Sequence, residues 1–236
     1  MPEVKYGNTE DFMFREAAEF LSSREAVPAE VYEKLEKRAR DRAFTVSKYT
    51  SAEVLNQFLR ELVDAVEEGF TVRQFRERMN GFLEENGYLS VNPSRADVIF
   101  RTNLQTAYCA GHYESMQSAK KYRPYWQYKT AGDGNVRDSH LAMQDKVYEA
   151  DDPIWDVWYP PNGFRCRCVV VSLSQAQVDS RGITVSHEPP RDIKGNSVVF
   201  PDKGFSNNPA TTPWKPDLSS FDKNVRSLLQ EQKMQE

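Results

Sequence analysis

The sequence predicts an α+β protein: a helical N-terminal region, then a small mixed α/β module with a short sheet, then an irregular C-terminal arm. Three observations lead there. Up to about residue 90, apolar residues recur at helical spacing behind recognisable start signals. From Arg101 to Leu173 the pattern changes to short alternating or β-branched runs between Pro, Gly and Asp turns. That segment holds all three cysteines, two of the three histidines and three of the four tryptophans. From residue 186 to 217, Pro, Gly, Asn, Ser and Asp dominate, as in extended or irregular chain. The boundaries are set at 1–90, 91–175 and 176–236.

The helical region divides at its caps. Phe14, Ala17, Ala18 and Leu21 give residues 10–22 an amphipathic stripe. Pro28 suits a first helical position, with Val31, Leu35 and Ala39 behind it. Thr50-Ser-Ala-Glu53 reads as a capping box ahead of Leu55, Phe58, Leu59, Leu62 and Val66, and Gly69 ends that helix. Thr71-Val-Arg-Gln74 repeats the box ahead of Phe75, Met79 and Phe82. The basic run from Lys34 to Arg42 is interleaved with acids and reads as a solvated helix face. This half carries no His and no Cys; it serves either as a docking adaptor or as a bundle around its own core.

The module opens at the break Asn92-Pro93-Ser94, with Ser94 as cap of a helix reaching about Met116. Arg101 and Asn103 lie among apolar neighbours on it, either as an exposed polar stripe or as groups tying the helix to later loops. After Pro124 a short strand is expected, Trp126 and Tyr128 facing the core and Gln127 and Lys129 away from it. The same mixture of bases and aromatics would suit base stacking, but strand alternation explains it more simply. Gly132-Asp-Gly-Asn135 is a turn, Ser139 to Ala142 a short helix, and Val147-Tyr148 a brief strand. Trp155 and Trp158 fall in a long loop bounded by Asp151-Asp-Pro153 and Tyr159-Pro-Pro-Asn-Gly163; their size requires that loop to pack over the sheet. Cys166 to Leu173 reads as a strand. In the arm, Ser174 to Asp179 is a short helix, Val198-Val-Phe200 an edge strand, His187 an exposed loop residue, and 219–234 a terminal amphipathic helix suited to docking.

The chemistry-bearing residues are few. On a strand, Cys166 and Cys168 face the same side, so two thiolates could share a metal, with His140 as third ligand. Candidates for a fourth are Cys109, His112, Asp138 and Asp152. Zinc suits such a donor set, although the spacing is not that of a zinc ribbon with two Cys-x2-Cys pairs. The alternative is that both cysteines are small buried hydrophobes and His140 a hydrogen-bonded structural residue. An activated Cys–His nucleophile is a third arrangement. Asp133, Asp138, Asp151 and Asp152 could build a carboxylate site, but turn chemistry accounts for them equally. No phosphate loop, dinucleotide fingerprint or cysteine-protease signature occurs. A structural protein is therefore expected rather than an enzyme, the alternative being a metal-dependent hydrolase or nuclease, or a toxin-like effector.

Composition bounds the partners. A formal net charge of −4 over 236 residues argues against a general nucleic-acid coat. No run approaches the roughly 20 apolar residues of a membrane span. The polar, acidic start MPEVKYGNTEDF is unlike a signal peptide, and three cysteines with a Cys-x-Cys pair suit a reducing compartment.

In order and composition, several segments together resemble the phage Mu F-like minor head proteins. They are Phe100-Arg-Thr-Asn-Leu-Gln-Thr-Ala-Tyr108 with Ala110-Gly111 and Tyr113; Val136-Arg-Asp-Ser-His140; Asp151-Asp-Pro153 with Trp155; and Tyr159-Pro-Pro-Asn-Gly163 leading to Cys166-Arg-Cys168. Arg42-Ala-Phe-Thr-Val-Ser47, Glu68-Gly69, Phe205-Ser-Asn-Asn-Pro209 and Trp214-Lys-Pro-Asp-Leu218 extend the likeness over most of the chain. The resemblance implies a low-copy head-morphogenesis protein of a tailed double-stranded DNA phage, with no established catalytic activity. Its implied place is the virion, in the head interior or near the portal, after assembly in the host cytoplasm. Its implied partners are the portal protein, other head proteins and packaged DNA, with no membrane. It also implies zinc or another metal at His140, Cys166 and Cys168, in a structural role. Two departures stand out: Asp145 where many members carry Gly, and a chain without the C-terminal region of longer members, so no role of that region is expected here.

Overall fold

The computed structural model describes residues 9–35, 43–46, 48–192 and 194–211 (in the first helix, the side chains from Arg15 onward). The chain is mixed α+β, and its N-terminal region is helical, as expected. It divides into two compact units. One contains Ala18–Phe100; the other contains Arg101–Thr211 together with the N-terminal segment up to Ala17.

The end of α1 (Thr9–Ser22), from Ala18 onward, belongs to the first unit and is followed there by β1 (Glu25–Ala26), α2 (Ala29–Lys34) and β2 (Ala43–Phe44), the two short strands pairing in parallel. Ala18 and Leu21 are buried as the apolar spacing predicts. Helix α3 (Ala52–Glu68) buries Leu55, Phe58, Leu59, Leu62 and Val66 and ends on Gly69 at φ +73°. Its cap is Ser51 rather than Thr50: Ser51 is extended, and its hydroxyl accepts the Val54 N–H at 3.5 Å. The expected box is thus displaced by one residue, and Glu53 falls within the first turn. Helix α4 (Val72–Glu85) has the complete Thr71–Gln74 capping box. Its core stripe runs Phe75, Met79, Leu83, so Leu83 takes the buried place expected for Phe82. Rings of Tyr49, Phe58, Phe75 and Phe100 meet in sequence at centroid distances of 5.1, 6.3 and 5.4 Å. Arg78 joins α4 to α3 through Glu61 and through Asp64 at 2.9 Å.

Helix α5 (Pro93–Ala119) starts one residue before the expected cap. Asn92 accepts the Arg95 N–H at 2.9 Å, leaving Pro93 as the first helical residue, where its missing N–H costs nothing. The second unit is a three-stranded antiparallel sheet in the order β4–β3–β5, formed by Val147–Glu149, Tyr125–Lys129 and Val169–Leu173. Register pairs Trp126 with Tyr148 on one side and with Ser172 on the other. One face carries the main core, where Trp126, Tyr128, Tyr148, Trp155, Trp158 and Tyr159 pack with Cys109, Met116, Cys166 and Cys168. A smaller cluster joins Val147, Leu173 and Val178 of α8 (Gln175–Ser180). Because β3 is the central strand, Gln127 is also covered, its amide donating to the Asp145 carbonyl at 3.3 Å.

Two helical turns lie between these strands: α6 (Asp138–Leu141) and α7 (Trp155–Trp158). The tryptophans expected in a loop sit on α7, because Asp152 accepts the Ile154 N–H at 2.9 Å and starts a turn there. Both are buried over the sheet, as their size requires. Val198 forms one bridge with Arg191 in place of an edge strand. The arm ends in a 3₁₀ turn, Pro209–Thr211. Ala39, most of the 34–42 basic run and the helix expected at 219–234 lie outside the described residues.

Candidate metal centre

The site forms where α6, the loop at 160–163 and the segment before β5 meet beside the aromatic core. His140 lies in α6 and is 2% exposed. Its Nδ1 faces the sulfur of Cys166 at 3.8 Å and that of Cys168 at 3.6 Å. One donor atom from each of the three residues lies within 4.8 Å of the others, and all three residues are buried. Tetrahedral zinc, with bonds of about 2.3 Å to sulfur and about 2.05 Å to nitrogen, sets S···N separations of about 3.5 Å. The donor set therefore fits a thiophilic ion in both type and spacing.

The imidazole is oriented for that task. Its Nε2–H donates to the Asn162 carbonyl at 3.1 Å, which leaves the Nδ1 lone pair toward the sulfurs. Asn162 is fully buried and organises the loop. Its side-chain oxygen accepts the Tyr128 hydroxyl at 2.6 Å, and its carbonyl also accepts the Asp202 N–H at 3.0 Å. The peptide between Pro160 and Pro161 is cis. Cys166 and Cys168 precede β5 rather than lying on it, so strand alternation is not what converges them. A turn does this: Cys166 N–H bonds to the Gly163 carbonyl at 3.1 Å, and Arg165 takes the left-handed backbone at φ +57°.

Electrostatics favours one thiolate at once. The Cys166 thiol is held below its usual range by a hydrogen bond from the Cys168 thiol, with help from the backbone N–H groups of Asn162 and Cys168, against the effect of burial. The same pairing and burial push Cys168 up.

The four fourth-ligand candidates lie outside this cluster. Cys109 accepts from the Gln105 amide at 3.3 Å within the aromatic core, and burial pushes its thiol up. His112 bonds the Val170 carbonyl through Nε2 at 2.9 Å, stacks on Tyr108, and is lowered in pKa by burial. Asp138 lies in the first turn of α6, and Asp152 caps Ile154. The other aspartates are equally dispersed: Asp133 clamps Arg167 through two bonds of 2.7 Å, and Asp151 pairs with Lys120 at 2.6 Å.

Several supporting residues carry no signal in the sequence that singles them out. Gln105 donates to the Cys168 carbonyl at 3.0 Å and, with His112, ties α5 to the cysteine segment, a role considered for Arg101 and Asn103. Arg101 is exposed and Asn103 half-buried. Asp202 folds back from the arm to lie 4.0 Å from His140 Nε2 and 3.1 Å from Arg137 Nε. Its carboxyl carbon would stand 2.8 Å from a Cβ at Gly163, so the glycine makes room for the arm. Asp145 takes the left-handed backbone at φ +61°, which Asp tolerates better than most residues, and holds Lys129. His187 is exposed, as expected.

A buried Cys₂His triad beside a small sheet, braced by one long helix, marks a candidate metal site in a module joined to a helical region. Residues 56–171, which contain the triad, match the family described as phage Mu protein F like protein, and the chain belongs to that family. It is 37% identical over 193 residues to the "Mu-like prophage FluMu F protein" of Haemophilus influenzae, covering 77% of this chain and 46% of that protein. It is 35% identical over 165 residues to the "Putative capsid assembly protein F" of Escherichia phage Mu, covering 63% of this chain and 38% of that protein. The chain thus spans less than half the length of either relative. No solved structure matches it. Among the described residues, no helix is long and apolar enough to cross a membrane.

Proposed function

We propose that this chain works in capsid assembly, as a minor head protein of a tailed double-stranded DNA phage. The observation that carries the reading is the 35% identity, over 165 residues, to a protein named for capsid assembly in Escherichia phage Mu. Its partners are the portal protein and other head proteins, with packaged DNA a further contact. Its place is the virion, in the head interior or portal vicinity, after assembly in the host cytoplasm.

The Cys₂His triad binds zinc in this reading, and the ion acts as a staple. Zinc favours thiolate and imidazole donors. His140, Cys166 and Cys168 would hold it, fastening α6 to the segment before β5. The surroundings support a scaffold more than a reaction centre. Trp126 and Tyr128, which could have stacked on bases, are core residues, and Asp133, Asp151 and Asp152 have separate structural partners.

Quantitative mass spectrometry of purified mature particles, with the portal subunit as internal standard, tests the placement. A reproducible copy number below that of the portal ring is expected. Absence from mature particles despite abundance in the infected cell would overturn the virion assignment in favour of a transient factor or an enzyme.

A further inference from the structure

The triad has three protein donors, and a small crevice borders it. A crevice of about 20 Å³ is lined by His140, Cys166 and Cys168 themselves, with Ala131, Arg137 and Arg167 at its walls. A water molecule needs roughly 10–15 Å³ of such space. The crevice therefore admits one water-sized donor atom. Of the protein's own candidates for that place, Cys109, His112 and Asp152 are held elsewhere by the contacts described above, and the exposed Asp138 lies outside the cluster. Closed structural zinc sites use four protein ligands, whereas three ligands and an accessible fourth position mark a centre that exchanges small ligands.

We propose that the His140–Cys166–Cys168 centre is an open one, with its fourth coordination position given to a single small exogenous donor, water or a small monoanion. The inference rests on the metal reading above and adds where the ion meets solvent. Charge is consistent with it. A divalent ion with two thiolates is neutral overall, so a monoanion would leave one negative charge beside Arg137 and Arg167. Both guanidiniums already have partners, Arg137 in Asp202 and the Phe164 carbonyl and Arg167 in Asp133. Their pull on an anion is therefore modest, and water is the resident donor.

The test uses the full chain loaded with cobalt(II), whose visible absorption reports its ligand set, titrated with azide and thiocyanate while bound cobalt is counted. A saturable spectral shift, with cobalt retained at one per chain, is expected. The variant Ala131→Phe, at an exposed position on the crevice wall, should weaken that response about tenfold without loss of cobalt. A chain that holds one cobalt but ignores both anions overturns the open position and leaves the metal reading standing. An unchanged response in Ala131→Phe also overturns it, because the crevice would not be the route. A chain that holds no cobalt overturns the metal reading and this inference together.

Discussion

The Nδ1 atom of His140 lies 3.6 Å from the sulfur of Cys168, and the opposite ring nitrogen is tied to the backbone of Asn162. The ring is thereby oriented with Nδ1 toward the sulfurs, by a carbonyl contributed from the loop that a metal would help to fasten. Because the pocket is not formed in the unfolded chain, a metal bound there would link its binding to folding. Replacing His140 by Gln, or stripping the metal with a chelator, should cost at least about 3 kcal/mol, a fall in Tm of about 6–12 °C for this chain length. Calorimetry of the treated wild type and of the variant should agree; an unchanged Tm in both would remove the staple.

Gly163 and Asp202 are coupled sterically. A methyl group at position 163 meets the Asp202 carboxyl and approaches the Arg137 guanidinium. Gly163→Ala should destabilise by roughly 1–3 kcal/mol, as overpacking does. Asp202→Ala in the same chain should recover part of that loss, because the two changes share one contact. Strictly additive effects in urea unfolding would show that the arm does not press on the loop.

The Tyr128 hydroxyl is held by the fully buried side chain of Asn162 at 2.6 Å. Tyr128→Phe leaves that oxygen without a donor and should lower stability by about 1–3 kcal/mol. The denaturant midpoint should move with its slope unchanged; a shift below the error of the midpoint would mean that water replaces the hydroxyl.

Gly69 ends α3 at φ +73°, and a methyl group added there would meet nothing within 4 Å. Gly69→Ala therefore brings backbone strain and no clash, and should cost about 1–2 kcal/mol. Metal content should be unaffected, which separates this loss from those at the triad.

Asp133 is held down to about 2 by the hydrogen bonds from Arg167. Its folded pKa is below the ordinary carboxylate value, so its contribution is present above about pH 4 and is lost as pH falls through about 2. The difference in Tm between wild type and Asp133→Asn should be present at neutral pH and shrink across that acid window. Exposure makes it small. A difference that instead grew on acidification would contradict the sign.

Where local rules act alone, the fold is legible in the sequence. The Thr71–Gln74 box, the Gly69 stop and the turn at Gly132 follow from backbone chemistry within four residues. Caps at 50–51 and 92–94 are ambiguous by one or two positions because neighbouring hydroxyl or amide side chains offer competing caps. The three residues of the triad stand out by type, but the way they meet does not. Cys166 and Cys168 converge through a turn with Arg165 left-handed, and nothing in an Arg codes visibly for positive φ. Asn162, Gln105 and Asp202 escape a sequence reading because their roles depend on contacts 22 to 65 residues away. The glycine at 163 is the available signal for Asp202, yet Asn-Gly marks a turn whichever neighbour requires it.

Whether His140, Cys166 and Cys168 hold a metal is tested most directly by the zinc content of the purified chain, measured by atomic emission under chelator-free handling. About one zinc per chain is expected, falling to background in a Cys166→Ser, Cys168→Ser double variant. Less than about a tenth of an equivalent in the wild type would contradict the metal centre, leaving the two cysteines as buried hydrophobes and His140 as a hydrogen-bonded core residue.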